Sequence, residues 1–140
     1  MARVKLILPK HSKFSTQVDV RISDINYGGH LGNDSILSLI HEARVRLLKD
    51  KGFSENDIDG VGIIMVDTII VYSSEGFYGD KLRIDVSVDE ITLSGCDIYY
   101  RFTNIEKEKE IAKAKTGIRF FDYTDKKVTR TPQIFLDAFQ

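Results

Sequence analysis

Asp24-Ile25-Asn26-Tyr27-Gly28-Gly29-His30-Leu31-Gly32-Asn33 runs straight into the apolar segment from Ile36 to Leu48, and this junction decides the fold. Ten residues hold three glycines, two side-chain amides, a carboxylate and an imidazole. A glycine-rich loop that opens a helix brings free backbone N–H groups and the positive end of the helix dipole to one point. A developing negative charge can be held there. The helix reads over residues 34–50. Ile36, Ile40, Ala43 and Leu47 recur at helical spacing, and Leu37, Leu39 and Leu48 widen the stripe. Asn33, Asp34 or Ser35 is placed to cap its start and Gly52 to end it. So much of the segment is apolar that the helix is expected to be wrapped on several sides.

Strand patterns lie on both sides of this unit. Residues 14–22, rich in β-branched residues, read as a strand before the loop. Residues 61–73 are apolar on both alternating sets, which predicts a strand covered on both faces. Gly79-Asp80 turns into Leu82, Ile84, Val86 and Val88, which alternate with polar residues as a half-buried strand does. Cys96, Ile98, Tyr100 and Phe102 form the next strand. The run Glu106 to Glu110 is a charged hairpin tip, and residues 111–123 are another long strand. One long helix against one antiparallel sheet is an α+β fold. A single helix cannot cover a broad sheet, so the doubly apolar strand implies a partner subunit. Asp67, which interrupts that strand, is expected to be buried in a polar network.

The bulk properties narrow the function classes. The 140 residues are 42% hydrophobic and carry a formal net charge of −1, which fits one domain, 1–140, with a sizeable core. The near balance of charge gives neither nucleic acid nor an anionic membrane a basic field to bind. No apolar run is long enough to cross a bilayer, and no signal peptide is evident. The lone Cys96 has no partner for an internal disulfide, which points to a reducing, cytoplasmic compartment. The three histidines, at 11, 30 and 41, have no metal-ligand spacing. No metal and no cofactor is expected.

The pattern Arg21-x-x-Asp24-x-Asn26-x-x-x-His30-x-x-Asn33, then Glu42-Ala43-Arg44, then Tyr78-Gly79-Asp80, resembles the hotdog-fold thioesterases of the 4-hydroxybenzoyl-CoA thioesterase-like and acyl-CoA thioesterase families. The resemblance covers about Phe14 to Asp122. It implies a long helix wrapped by an antiparallel sheet, pairing of two such units into a homodimer or a homotetramer of two dimers, and an acyl-CoA or related acyl thioester as substrate at the dimer interface. It implies hydrolysis to a carboxylic acid and free thiol, with coenzyme A present only as part of the substrate. Many such members read D-x-D-x-x-x-H, with the second Asp catalytic; this chain has Asn26 there. Asn cannot act as a base at neutral pH, but it can orient a water or a carbonyl. A second branch is similar in carrying Asn and draws its carboxylate from the helix fifteen residues later. Here that position is His41, followed by Glu42.

The candidate catalytic residues are therefore Asn26, His41, Glu42 and Asp24, and the candidate substrate-binding residues are Gly29, His30, Gly32 and Asn33. Each has a plainer reading. Asn26 suits a turn. Asp24 pairs with Arg21 or caps a turn. His30 hydrogen-bonds backbone. Glu42 sits four before Arg46, an ordinary ion-pair spacing. His41 lies beside the apolar stripe as a core or interface histidine, or serves as the base. Two further functions stay open: a non-catalytic acyl-CoA binding or sensing module, favoured by the Asn, and a hydratase. The hydratase needs Asp and His five apart, whereas Asp24 and His30 are six apart.

Overall fold

The computed structural model describes residues 2–140. Strand β1 (Phe14–Asp19) leads through a short 3-10 turn (Ile22–Asp24) and the glycine loop into helix α1 (Asn33–Asp50). Strands β2 (Gly62–Tyr72), β3 (Lys81–Asp89), β4 (Gly95–Asn104), β5 (Lys109–Asp122) and the short β6 (Lys127–Val128) follow, then helix α2 (Gln133–Phe139). The sheet order is β1-β3-β4-β5-β2, with β6 on the end of β5, and every pairing is antiparallel. This is the α+β arrangement that the resemblance implies.

The period-2 patterns place the core. Leu82, Ile84 and Val86 of β3 and Cys96, Ile98, Tyr100 and Phe102 of β4 are buried under α1, which contributes Ile36, Leu39, Ile40, Ala43, Leu47 and Leu48. The helix ends as Gly52 predicts. Gly52 takes φ +80°, its N–H bonds Lys49 O at 2.9 Å, and Phe53 N–H bonds Leu48 O at 2.8 Å. That pair of bonds satisfies two otherwise orphaned carbonyls. The outer face of the sheet is crossed by the chain before β1, where Lys113 Nζ donates to Leu6 O and Ser87 Oγ to His11 O.

Four expectations are corrected. The first strand stops at Asp19 rather than residue 22, because Arg21 and Asp24 close the turn that follows. The residue that caps α1 is Gly32, and no side chain caps it, so Asn33, Asp34 and Ser35 lie inside the helix. The strand apolar on both sides, for which a partner subunit is the expected cover, is open within one chain. It is the edge strand β2, where Met65 is 39% and Val66 54% exposed, and a bulge at Val66 breaks its register with β5. Asp67 is not buried. It stands at that bulge, accepting from Lys115 Nζ at 2.7 Å and Gly117 N at 3.0 Å, and the Lys115 bond heads the causes that lower its pKa. Helix α1 is wrapped on one side only: Leu37, His41 and Val45 form an exposed stripe on the other. Helix α2 adds to the core at β5 and at the chain after α1: its Phe135 packs edge-on against Phe120 at 4.9 Å and its Phe139 lies 6.5 Å from Phe53.

Candidate functional site

The loop between Arg21 and Gly32 is built from its own polar groups. Asp24 is buried, and its two carboxylate oxygens accept from Arg21 N at 2.9 Å, Nε at 3.3 Å and an Arg21 terminal nitrogen at 3.2 Å. Asp24 O in turn accepts from Gly32 N at 2.9 Å. Asn26 Oδ1 accepts from Gly28 N at 2.9 Å and His30 N at 3.2 Å. Both partners are N–H donors, which fixes the amide orientation and leaves Nδ2 as Asn26's free group. Gly29 takes φ +82°, a left-handed conformation that L side chains rarely adopt.

The loop is fastened to the segment after β2 by Leu31 N–H on Gly76 O at 2.8 Å. Between them lies an open cleft of about 340 Å³ lined by Asn26, His30, Leu31, Asn33, Tyr72, Ser73, Ser74 and Glu75. His30 stands 3.4 Å from Glu75 Oε2 and packs edge-on against Phe77. Burial and then the nearby Asp34 carboxylate push the Tyr72 phenol above its ordinary range. The start of α1 opens here without a side-chain cap bond and with the Asp34 carboxylate close against Gly32, so its first-turn amides keep N–H groups that no side chain accepts from.

The candidate residues thus divide into three groups. Asn26, His30 and Asn33 meet in the cleft, and Gly29 and Gly32 shape its loop. Asp24 is turned into its pair with Arg21. Glu42 pairs with Arg46 at 2.8 Å, the spacing read from the sequence. His41 and Glu42 lie eight and nine residues beyond Asn33, about 12 Å or more along the helix axis, so neither belongs to the cleft of its own chain. Tyr72, Ser73, Ser74 and Glu75 were missed. Their signal was the polar run Ser73-Ser74-Glu75 at the end of an apolar strand.

Another missed residue, Glu55, organises the middle of α1. His41 Nε2 lies 2.7 Å from Glu55 Oε1, and Arg44 Nε donates to Glu55 Oε2 at 2.7 Å. Arg44 is buried; it also donates to Tyr100 OH at 3.3 Å, which bonds Thr116 Oγ1 at 2.8 Å. Burial works against the Glu55 carboxylate, but the hydrogen bonds and charges of Arg44 and His41 outweigh it and hold its pKa below the ordinary value. Burial likewise works against the Arg44 guanidinium, but Tyr100 and Glu55 raise its pKa above the ordinary value.

A carboxylate whose folded pKa is depressed adds stability at pH values above its unfolded pKa, and that stability is lost as pH falls through the folded value. Wild-type stability, measured by urea unfolding at stepped pH, is therefore expected to fall as pH drops below the ordinary glutamate value of about 4.3. Glu55→Gln should remove that part of the slope; an unchanged slope would assign the acid sensitivity to other carboxylates.

Among the described residues no group of three or more His, Cys, Asp or Glu side chains is placed to hold a metal ion. Among the described residues no helix is long and apolar enough to cross a membrane.

Comparison with known proteins adds the family. The sequence model described as thioesterase-like superfamily matches residues 20–139. No curated protein matches the chain significantly. A 1,4-dihydroxy-2-naphthoyl-CoA thioesterase from Synechocystis superposes with a TM-score of 0.82 at 20% identity, covering 89% of this chain and 93% of that one. A DHNA-CoA thioesterase from Staphylococcus aureus gives 0.78 at 20% identity, with 89% and 84% covered. A gentisyl-coenzyme A thioesterase gives 0.80 at 16% identity, with 91% and 100% covered. At these identities the likeness establishes the fold: a long helix wrapped by an antiparallel sheet.

Proposed function

This chain belongs to the thioesterase-like superfamily, and on that footing we propose that it hydrolyses an acyl-CoA to a carboxylic acid and free coenzyme A at the cleft beside the start of α1. The observation that carries the reading is the uncapped helix start opening beside Asn26. A thioester carbonyl oxygen at the first-turn amides gains their N–H groups and the helix dipole as it takes on negative charge. Asn26 Nδ2 is a further donor. Water adds to the carbonyl carbon, giving its proton to a base. The tetrahedral intermediate collapses, the carbon–sulfur bond breaks, and the CoA thiolate leaves and is protonated. A neighbouring hollow of about 330 Å³ shares Ser73, Ser74 and Glu75 with the cleft and carries Lys107 and Lys109 beside Phe77. Its cations suit the CoA phosphates.

The cleft's own carboxylate, Glu75, faces His30, and Asp24 is committed to Arg21. By similarity to the branch that carries Asn in this loop and draws its basic group from the helix, that group is taken from a second copy of the chain. The open edge of β2 and the exposed stripe Leu37-His41-Val45 on α1 are the surfaces such a copy would cover, and the stripe carries His41. A dimer, or a tetramer of two dimers, is part of the proposal, as is a cytoplasmic location. The free, buried Cys96, with its thiol pushed up to about 12 by burial, suits a reducing compartment. The hydratase alternative loses its dyad, since Asp24 and His30 each face another partner.

The test is thiol release by the purified chain over short, long and aromatic acyl-CoAs. The similar proteins named above act on aromatic acyl-CoAs, so these come first. Turnover of at least one substrate is expected, with sedimentation giving a species at least twice the mass of the 140-residue chain. Saturable acyl-CoA binding without turnover would replace the reading by the binding or sensing module, and neither binding nor turnover would end it.

A further inference from the structure

We propose that Glu55 is a positioning residue for the hydrolysis: it fixes the tautomer of His41 so that Nδ1 is the atom that takes the proton from water. The inference rests on the thioesterase reading above and adds to it a residue outside the cleft and the identity of the basic atom.

The argument starts from donor and acceptor chemistry. Glu55 touches His41 Nε2 with one oxygen and Arg44 Nε with the other, both at 2.7 Å. The guanidinium is always protonated and keeps the carboxylate ionised, in keeping with its lowered pKa. An ionised carboxylate has no proton to give. The hydrogen bond at 2.7 Å therefore requires the proton to sit on His41 Nε2. In the neutral imidazole this leaves the lone pair on Nδ1. No second hydrogen bond reaches the ring among the described residues.

The placement is that of a working group rather than a structural tie. Arg44 already neutralises Glu55, and it is anchored in turn by Tyr100 and Thr116. An additional histidine whose side chain is 60% exposed adds little stability to such a pair. Behind that one exposed ring stand four ordered side chains, from Glu55 to Thr116, which restrict its rotation as an oriented base requires. On either side, Leu37 and Val45 lie one turn away at i−4 and i+4, both partly exposed. A second copy seated on this stripe would take the ring out of water; that the ring then serves that copy's cleft belongs to the thioesterase reading on which this inference rests.

The test is Glu55→Gln. The amide oxygen can still accept from Arg44, but the amide nitrogen then donates toward His41 Nε2. That nitrogen must accept, and the proton moves to Nδ1, where the lone pair is lost. We expect kcat to fall about 100-fold with KM changed less than about threefold, and His41→Ala to lose a similar factor. The double variant should be no slower than His41→Ala alone, because Glu55 acts only through His41. Nitrogen-15 NMR of the ring should show the Nε2–H tautomer in the wild type and Nδ1–H in Glu55→Gln. Losses that multiply in the double variant would make Glu55 structural and overturn the proposal. So would an Nδ1–H wild-type tautomer, or a His41→Ala enzyme as fast as the wild type. These last two need no change at Glu55, so they decide the matter even if Glu55→Gln fails to fold. In each of these failures the wild type still hydrolyses thioesters and the thioesterase reading stands; a wild type that releases no thiol overturns both.

Discussion

Asn26→Ala is expected to lower kcat for thioester hydrolysis by about 100- to 1,000-fold, the range for loss of one preorganised donor to a developing oxyanion. The magnitude follows from how the side chain is used. Its Oδ1 is occupied by Gly28 N and His30 N, so the cleft is offered Nδ2 and its two protons. The alanine variant loses the donor and the two loop bonds together, and the loop bonds are exposed, so water replaces them at small cost. Asn26→Asp separates the two effects. It keeps an acceptor for both loop amides but sets an anionic oxygen where the donor was. Its kcat is expected within about tenfold of the alanine variant, with thermal midpoints of all three proteins close together. An Asn26→Asp enzyme as fast as the wild type would refute the donor role and place carboxylate chemistry at residue 26.

The elements that the sequence announced are those with a local period. The stripe from Ile36 to Leu48 produced α1 to within one residue, and the alternation in Leu82 to Val88 produced a strand with one buried face. Period alone did not tell a strand buried on both faces from an edge strand that a second copy would cover. Residues 62–72 are apolar on both sides, and only the sheet order reveals that β2 lies at the edge. The pair Phe135 and Phe139, one helical turn apart behind Pro132, was the signal for α2 and was too short to stand out. The site was legible by halves for a related reason. Asn26, His30 and Asn33 share one loop and declare themselves together. Tyr72 to Glu75 reach the cleft from forty residues further on, through Leu31 on Gly76. Glu55 reaches His41 across fourteen residues, and Arg44 reaches Tyr100 across fifty-six. No spacing rule along the chain encodes contacts of that kind, because they depend on how the sheet sets its strands under the helix.

Arg44→Ala is expected to cost about 3 kcal/mol of folding stability, the low end of the range for breaking a buried ion pair by removing one partner. Its side chain is only 8% exposed, between α1 and the sheet. Alanine leaves the Glu55 carboxylate with His41 alone, takes one of the two hydrogen bonds from the buried Tyr100 hydroxyl, and empties the space filled by the arginine stem. The low end applies because Glu55 keeps 23% of its side chain in contact with solvent, so the stranded charge is partly hydrated. His41→Ala removes an exposed partner of the same carboxylate and should cost under about 1 kcal/mol. Arg44→Met combined with Glu55→Gln discharges both ends and refills the space, and should recover at least half of the loss, since apolar replacements of buried ion pairs are often neutral. Urea unfolding of the four proteins near neutral pH measures all of these differences. If Arg44→Ala were as stable as the wild type, Arg44 would contribute nothing net to the packing of α1 on the sheet. If His41→Ala were as damaging as Arg44→Ala, the imidazole would be a structural tie and its exposure would mislead. The expected ordering puts the stability in the buried arginine and leaves the exposed histidine free to serve chemistry.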